Sequence, residues 1–277
     1  MSEGLPPPQP PLDPPPPPAA DTRKKGLPPA PHADRFRFVL GALLGLGLAA
    51  IVAAVAFVVQ GPSAQDRWSA WKPSEDGVSG ATQIANHVSG TYRQPDGQQL
   101  VAVKAGPMKV ADLDLNVAVK ASSGDKVFDG SGVRYVMCGL GPNCSIADGK
   151  PSVERGVLLQ REALELALYS FQYLGNVDQV VVFLPPRPGE APTQGKALFF
   201  QRDDVGAALD QPLDRTLTSP PPSFNSLRAS DVAAVDHFAG HHVYCFAYQV
   251  AQDVSAYLVL SPPRATCPGS SAAAQGP

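Results

Sequence analysis

Hydrophobic positions divide this chain into three stretches with different periods. Residues 1–35 show no period, residues 38–59 are apolar without a break, and helical and strand periods begin near residue 75. In "VSGATQIANHV" the residues Val78, Ala81, Ile84, Ala85 and Val88 recur at helical spacing, and Gly90 follows as a stop. "ADLDLNVAVK" alternates strictly, with Leu113, Leu115, Val117 and Val119 on one side, which predicts a half-buried strand. "QLVAVKA" and "VRYVMC" read as further strands, separated by the glycine-rich loop "SSGDKVFDGSG".

A longer helix is predicted from Pro151-Ser152 to about Leu174. Val157, Leu164, Leu168 and Phe171 lie on its buried stripe, and Arg161, Glu162 and Glu165 on a wet face. "DQVVVFLPP" and "KALFFQ" follow as strands around the loop "PPRPGEAPTQG". After a proline-rich stretch at 211–226, Ser230 is expected to cap a short helix over "SDVAAVDHFA". "VYCFAYQ" and "SAYLVLSP" then pair as a hairpin through "VAQD". Helices and strands come in mixed order with hairpin-like neighbours. That order predicts an α+β domain with a mainly antiparallel sheet over residues 75–267, preceded by a linker at 61–74 and followed by a disordered tail at 268–277.

The unbroken stretch Phe38–Val59 holds 22 residues without a charge. At the helical rise it spans ~33 Å, enough to cross a bilayer core, so residues 36–60 are expected to form one transmembrane helix. A retained anchor suits the length of this run better than a cleaved signal peptide does. Arg23, Lys24, Lys25, Arg35 and Arg37 precede the span within 15 positions, whereas only Arg67 and Lys72 follow within 15. The excess of positive charge keeps the N-terminus in the cytoplasm and places the C-terminal domain outside a cell (plasma) membrane. Gly41 and Gly45 form a G-x-x-x-G through which two such helices could approach as a homodimer. Residues 1–35, with the run "LPPPQPPLDPPPPP", read as a disordered proline-rich cytoplasmic tail, because proline offers no backbone donor and polyproline II no internal hydrogen bond. Trp68 and Trp71 are expected at the membrane interface beside Arg67 and Lys72.

Composition alters this picture in two respects. The formal net charge of -3 removes the basic field that nucleic-acid binding needs, leaving membrane lipid and other envelope or membrane proteins as partners. All four cysteines follow the apolar span, as expected for disulfides in an oxidising compartment. The favoured pairing is Cys138 with Cys144, across the turn-forming loop "CGLGPNC", and Cys245 with Cys267; the other two connectivities stay open.

The densest cluster of metal-binding side chains is "DHFAGHH" at 236–242. His237 and His241 stand four apart, which on one helix face would give zinc two ligands, with Asp236 beside them. Gly240 breaks that helix, position 238 is Phe where a general-base Glu would stand, and a disulfide-bonded Cys245 cannot offer a thiolate. No cofactor is therefore expected, zinc being the alternative. Ser123 and Lys126 form a Ser-x-x-Lys, but within a turn and without companion motifs. The expected function is that of a single-pass membrane protein with an extracytoplasmic binding, sensor or scaffold domain. The alternatives are an envelope hydrolase or metal-dependent enzyme working near His237 and His241, and a signal transducer acting through its proline-rich tail.

Overall fold

The order β–α–β around one long helix, flanked by hairpins, sets the architecture. The computed structural model describes residues 67–110, 112–122, 124–146, 152–187, 195–264 and 267. The proline-rich tail, the span Phe38–Val59 with Gly41 and Gly45, Ser123 and the tail 268–277 lie outside these residues. Among the described residues no helix is long and apolar enough to cross a membrane.

Among the described residues nine strands form one sheet: β1 (Ala102–Pro107), β2 (Lys109–Val110), β3 (Leu113–Val119), β4 (Lys126–Phe128), β5 (Gly132–Cys138), β6 (Gln179–Phe183), β7 (Lys196–Gln201), β8 (Val243–Val250) and β9 (Ala256–Ser261). Their order is β1-β5-β6-β7-β8-β9-β3-β2, with β4 on β3. The expected hairpin of β8 and β9 is present, from Val250↔Ala256 to Cys245↔Ser261. The sheet is mixed, however. Six pairings are antiparallel. The pairs β5–β6 and β3–β9 are parallel. The first parallel pair follows from the long helix between β5 and β6, a crossover that returns the chain in the same direction. The two short strands β2 and β4 are not foreseeable from the pattern, because two or three residues next to glycine-rich turns carry no readable period.

β1 and β2 are separated by Met108 alone, yet they stand at opposite ends of the strand order. The sheet therefore curls until its ends nearly meet, like an incomplete barrel. Contacts across the inside agree with the curl: Phe128 of β4 lies 5.3 Å from Phe199 of β7, and Phe183 of β6 lies 4.8 Å from Phe246 of β8, ring centre to ring centre. Leu115, Val117, Val181, Phe199, Leu258 and Leu260 fill this inner core.

Alternate residues of the same strands face outward into a second core under the helices. Val180, Val182, Leu198 and Phe200 are fully buried there. β6 is thus covered on both faces, which explains its unbroken apolar run. The helices are α1 (Gly77–Ser89), α2 (Val153–Tyr173), the single turns α3 (Gly206–Leu209) and α4 (Leu213–Thr216), and α5 (Ala229–Ala239). Asp76 starts α1 by accepting from Gly77 N at 2.6 Å, and accepts from Gly175 N at 3.0 Å, tying that start to the end of α2. Val78, expected on the buried stripe of α1, is 42% exposed, because it lies at the open first turn beyond reach of the sheet. Ser230 sits inside α5; the cap is Arg228, whose N–H donates to Asp231 at 3.1 Å.

α2 brings the main correction. Arg161, Glu162 and Glu165, expected on a wet face, are 2%, 0% and 9% exposed. The helix is wrapped: α1, α5 and residues 211–228 pack around it as well as the sheet.

Candidate functional site

Burial of Arg161, Glu162 and Glu165 on one helix demands partners, and hydrogen bonds supply them for Arg161 and Glu165. Tyr92, in the link between α1 and β1, donates its hydroxyl to Glu165 Oε2 at 2.6 Å. Arg161 Nη1 donates to the same carboxylate oxygen at 3.3 Å and to the Tyr92 hydroxyl, and its guanidinium lies 5.5 Å from the Tyr92 ring centre. Arg161 Nη2 donates to the Thr218 carbonyl. The Thr218 hydroxyl in turn donates to Asp231 at the first turn of α5. One arginine therefore joins α2, the Tyr92 link, the segment over the helix layer and α5.

Glu162 has no such partner. Both carboxyl oxygens are buried without a hydrogen bond. Burial pushes its pKa well above the ordinary carboxyl range, and the neighbouring Glu165 pushes in the same direction. Burial also raises Glu165, though Arg161 and Tyr92 counter the shift. For Tyr92 burial and then Glu165 raise the phenol, so it stays a donor. Burial likewise opposes ionisation of Asp231, but hydrogen bonds from Thr218 and the Arg228 backbone and the charges of Arg228 and Arg161 hold it below its ordinary value. Glu162 and Glu165 stand three residues apart on one helix, so the charge of one opposes ionisation of the other.

The entry to the domain packs on the same helix. Trp71 stacks on His87 at 4.0 Å, and Trp68 meets Tyr169 edge-on at 5.3 Å. Trp68 O also accepts from Leu213 N at 2.7 Å. Both tryptophans, expected at a membrane interface, are half-buried in an aromatic cluster of the domain, and the linker foreseen at 61–74 is folded from Trp68 onward. Burial lowers the pKa of His87.

An open groove of ≈ 720 Å³ lies between the N-terminal half of α2 and α5, lined by Val153, Val157, Val232 and Ala233 among others. Val153, the first residue of α2, is 78% exposed at the mouth of this groove.

The segment 236–242 behaves otherwise. α5 ends at Ala239, Gly240 begins a tight turn, and β8 starts at Val243. Asp236, His237 and His241 are all exposed. Among the described residues no three His, Cys, Asp or Glu side chains gather as a metal-holding group. The Asp236 carboxylate folds back on the turn, so closely that a Cβ on Gly240 would clash with its Oδ1. The histidine with a fixed role is His242, which donates from Nδ1 to Phe199 O at 3.0 Å and lies 3.7 Å from Asp204. Both disulfides of the favoured pairing are formed, Cys138–Cys144 and Cys245–Cys267.

The buried cluster on α2 did leave a trace in the sequence. "ALELALYSF" at 163–171 is nearly apolar all round, so the helix had to be enclosed, and its charges with it. Tyr92 and Thr218 left none, because their distance to Arg161 along the chain is 69 and 57 residues. No family model matches this chain, and no curated protein or solved structure matches it either.

Proposed function

We propose that this chain is a single-pass membrane protein whose disulfide-bonded domain stands outside the cell membrane and works by binding, as a sensor, scaffold or accessory subunit. The observation that carries the proposal is the pair of disulfides, which use all four cysteines of the chain. A reducing cytosol would keep them as thiols. The charge asymmetry around Phe38–Val59 supports the same side of the membrane from different residues. Binding rather than catalysis is supported by where the polar groups lie. The buried cluster on α2 is closed to a substrate, whereas the open groove between α2 and α5 is lined mostly by aliphatic side chains, with Gln160 and Asp236 as its polar groups, and offers contact area to a partner.

The test is chemical. Protein isolated from membranes is alkylated with and without prior reduction and weighed: four thiols should appear only after reduction. A membrane-impermeant protease should digest residues beyond 67 in intact cells while sparing the tail. Four free thiols before reduction, or protection of the domain, would overturn the proposal.

A further inference from the structure

A fully buried carboxyl group with no hydrogen bond on either oxygen is costly to keep if it serves only as filler, since a methionine of similar volume would pack there without penalty. Glu162 stands next to the joint that holds the helix layer together. We infer that Glu162 is a proton-operated latch, closed when its carboxyl is protonated and loosened when it ionises, which makes this domain responsive to the pH outside the membrane.

The geometry gives the latch its target. Arg161 is already shared between Glu165, the Tyr92 hydroxyl and the Thr218 carbonyl. A second carboxylate three residues before Glu165 on α2 would repel the carboxylate that Arg161 holds, or draw water into the layer. Either result weakens the bond to Thr218, and with it the link from Thr218 to Asp231 of α5. The charged and titratable groups around Glu162 are few. On α2 they are Arg155, Arg161, Glu165 and Tyr169; from the α1–β1 link comes Tyr92, from α1 His87, and from α5 Asp231, one step further through Thr218. Within this set Glu165 and Tyr92 interact with the Glu162 charge, and Glu165 favours the proton.

The sign follows from proton linkage. The folded state keeps the Glu162 proton to a higher pH than the unfolded chain, whose carboxyl titrates at its ordinary 4.5. Between that value and the raised folded one, the unfolded state binds fewer protons, so stability falls as pH rises. Acid closes the latch and alkali loosens it. His87, with its lowered pKa, acts in the opposite direction below its ordinary 6.5, which a Glu162 variant leaves unchanged.

The experiment uses the full chain in mild detergent, with melting followed by fluorescence of Trp68 and Trp71, the two tryptophans of the chain. From about pH 5 to about pH 8 the wild-type Tm should fall by at least about 5 °C. Glu162→Gln, an isosteric mimic of the protonated acid, should flatten this slope by more than half and raise Tm at the alkaline end. In parallel, infrared spectra near neutral pH should show the carbonyl band of a protonated carboxylic acid that loses intensity in Glu162→Gln. Parallel melting curves for the two proteins, or a band that the substitution leaves intact, would overturn the inference. If Glu162→Gln fails to fold, Glu162→Met takes its place: a flattened slope and a weakened band support the latch, and an unchanged slope or band overturns it.

Discussion

The charged face of α2 and the histidine-rich segment 236–242 are both short, polar and rich in titratable groups, but the fold treats them in opposite ways. On α2, Arg161, Glu162 and Glu165 are enclosed, and burial raises the pKa of both carboxyl groups. In 236–242, Asp236, His237 and His241 face solvent, and the segment is fastened from its far side by the Cys245–Cys267 disulfide at the start of β8. Density of reactive side chains along the chain is thus a poor guide to where charge matters. Breaking a buried ion pair with one shared arginine costs the structure more than removing two exposed histidines, because water screens and satisfies the latter at no cost.

The contrast can be broken most forcefully at Arg161. Arg161→Ala leaves the Glu165 carboxylate buried without its cation and frees the Thr218 carbonyl; denaturant unfolding should show a loss of ~3–5 kcal/mol. A loss below ~1 kcal/mol would mean that the α2 face is wetter than the fold implies.

The disulfides come next. Cys245→Ser with Cys267→Ser opens a loop of 22 residues and should cost ~3 kcal/mol, while Cys138→Ser with Cys144→Ser opens one of 6 and should cost ~2 kcal/mol. If the two costs were reversed, the end of the histidine segment would be held by packing rather than by its covalent tie.

A smaller effect belongs to His87. Because the folded state holds this ring neutral to a lower pH than the unfolded chain does, stability is lost as pH falls through 6.5. His87→Gln should remove that acid-side loss from a series of melts, and an unchanged acid limb would count against burial of the ring on Trp71.

The least effect is expected at the histidine segment itself. His237→Ala with His241→Ala should shift stability by no more than ~0.5 kcal/mol, and added zinc or chelator should leave Tm alike in variant and wild type. A zinc-dependent rise in Tm that the double variant loses would restore the metal reading and weaken the contrast.

Much of the framework is legible in the sequence because it is local. Strict alternation locates β3, Gly90 marks the close of α1, and Ser152 accepts from Arg155 N at 3.2 Å to open α2 where expected. The cysteine pairing is legible too, since a loop of glycines and proline favours the short bridge. The site is legible only in its least important part, the histidine segment. Its decisive residues, Arg161, Glu162 and Glu165, have the spacing of solvent-facing charges on an amphipathic helix and point the wrong way.

What the sequence determined by itself is every feature set by neighbours a few positions apart: the strand faces, the helix ends, and the apolar span 38–59 that lies outside the described residues. The tertiary structure alone decided that the sheet is mixed and curls although β1 and β2 end its strand order, that α2 is enclosed from Arg161 to Phe171, and that Tyr92 and Thr218 converge on Arg161. Periodicity reports which face of an element is apolar, but how many layers cover that element depends on contacts between residues far apart in the chain. A carboxyl group such as Glu162 is pushed toward its protonated form by that enclosure, not by its place in the sequence.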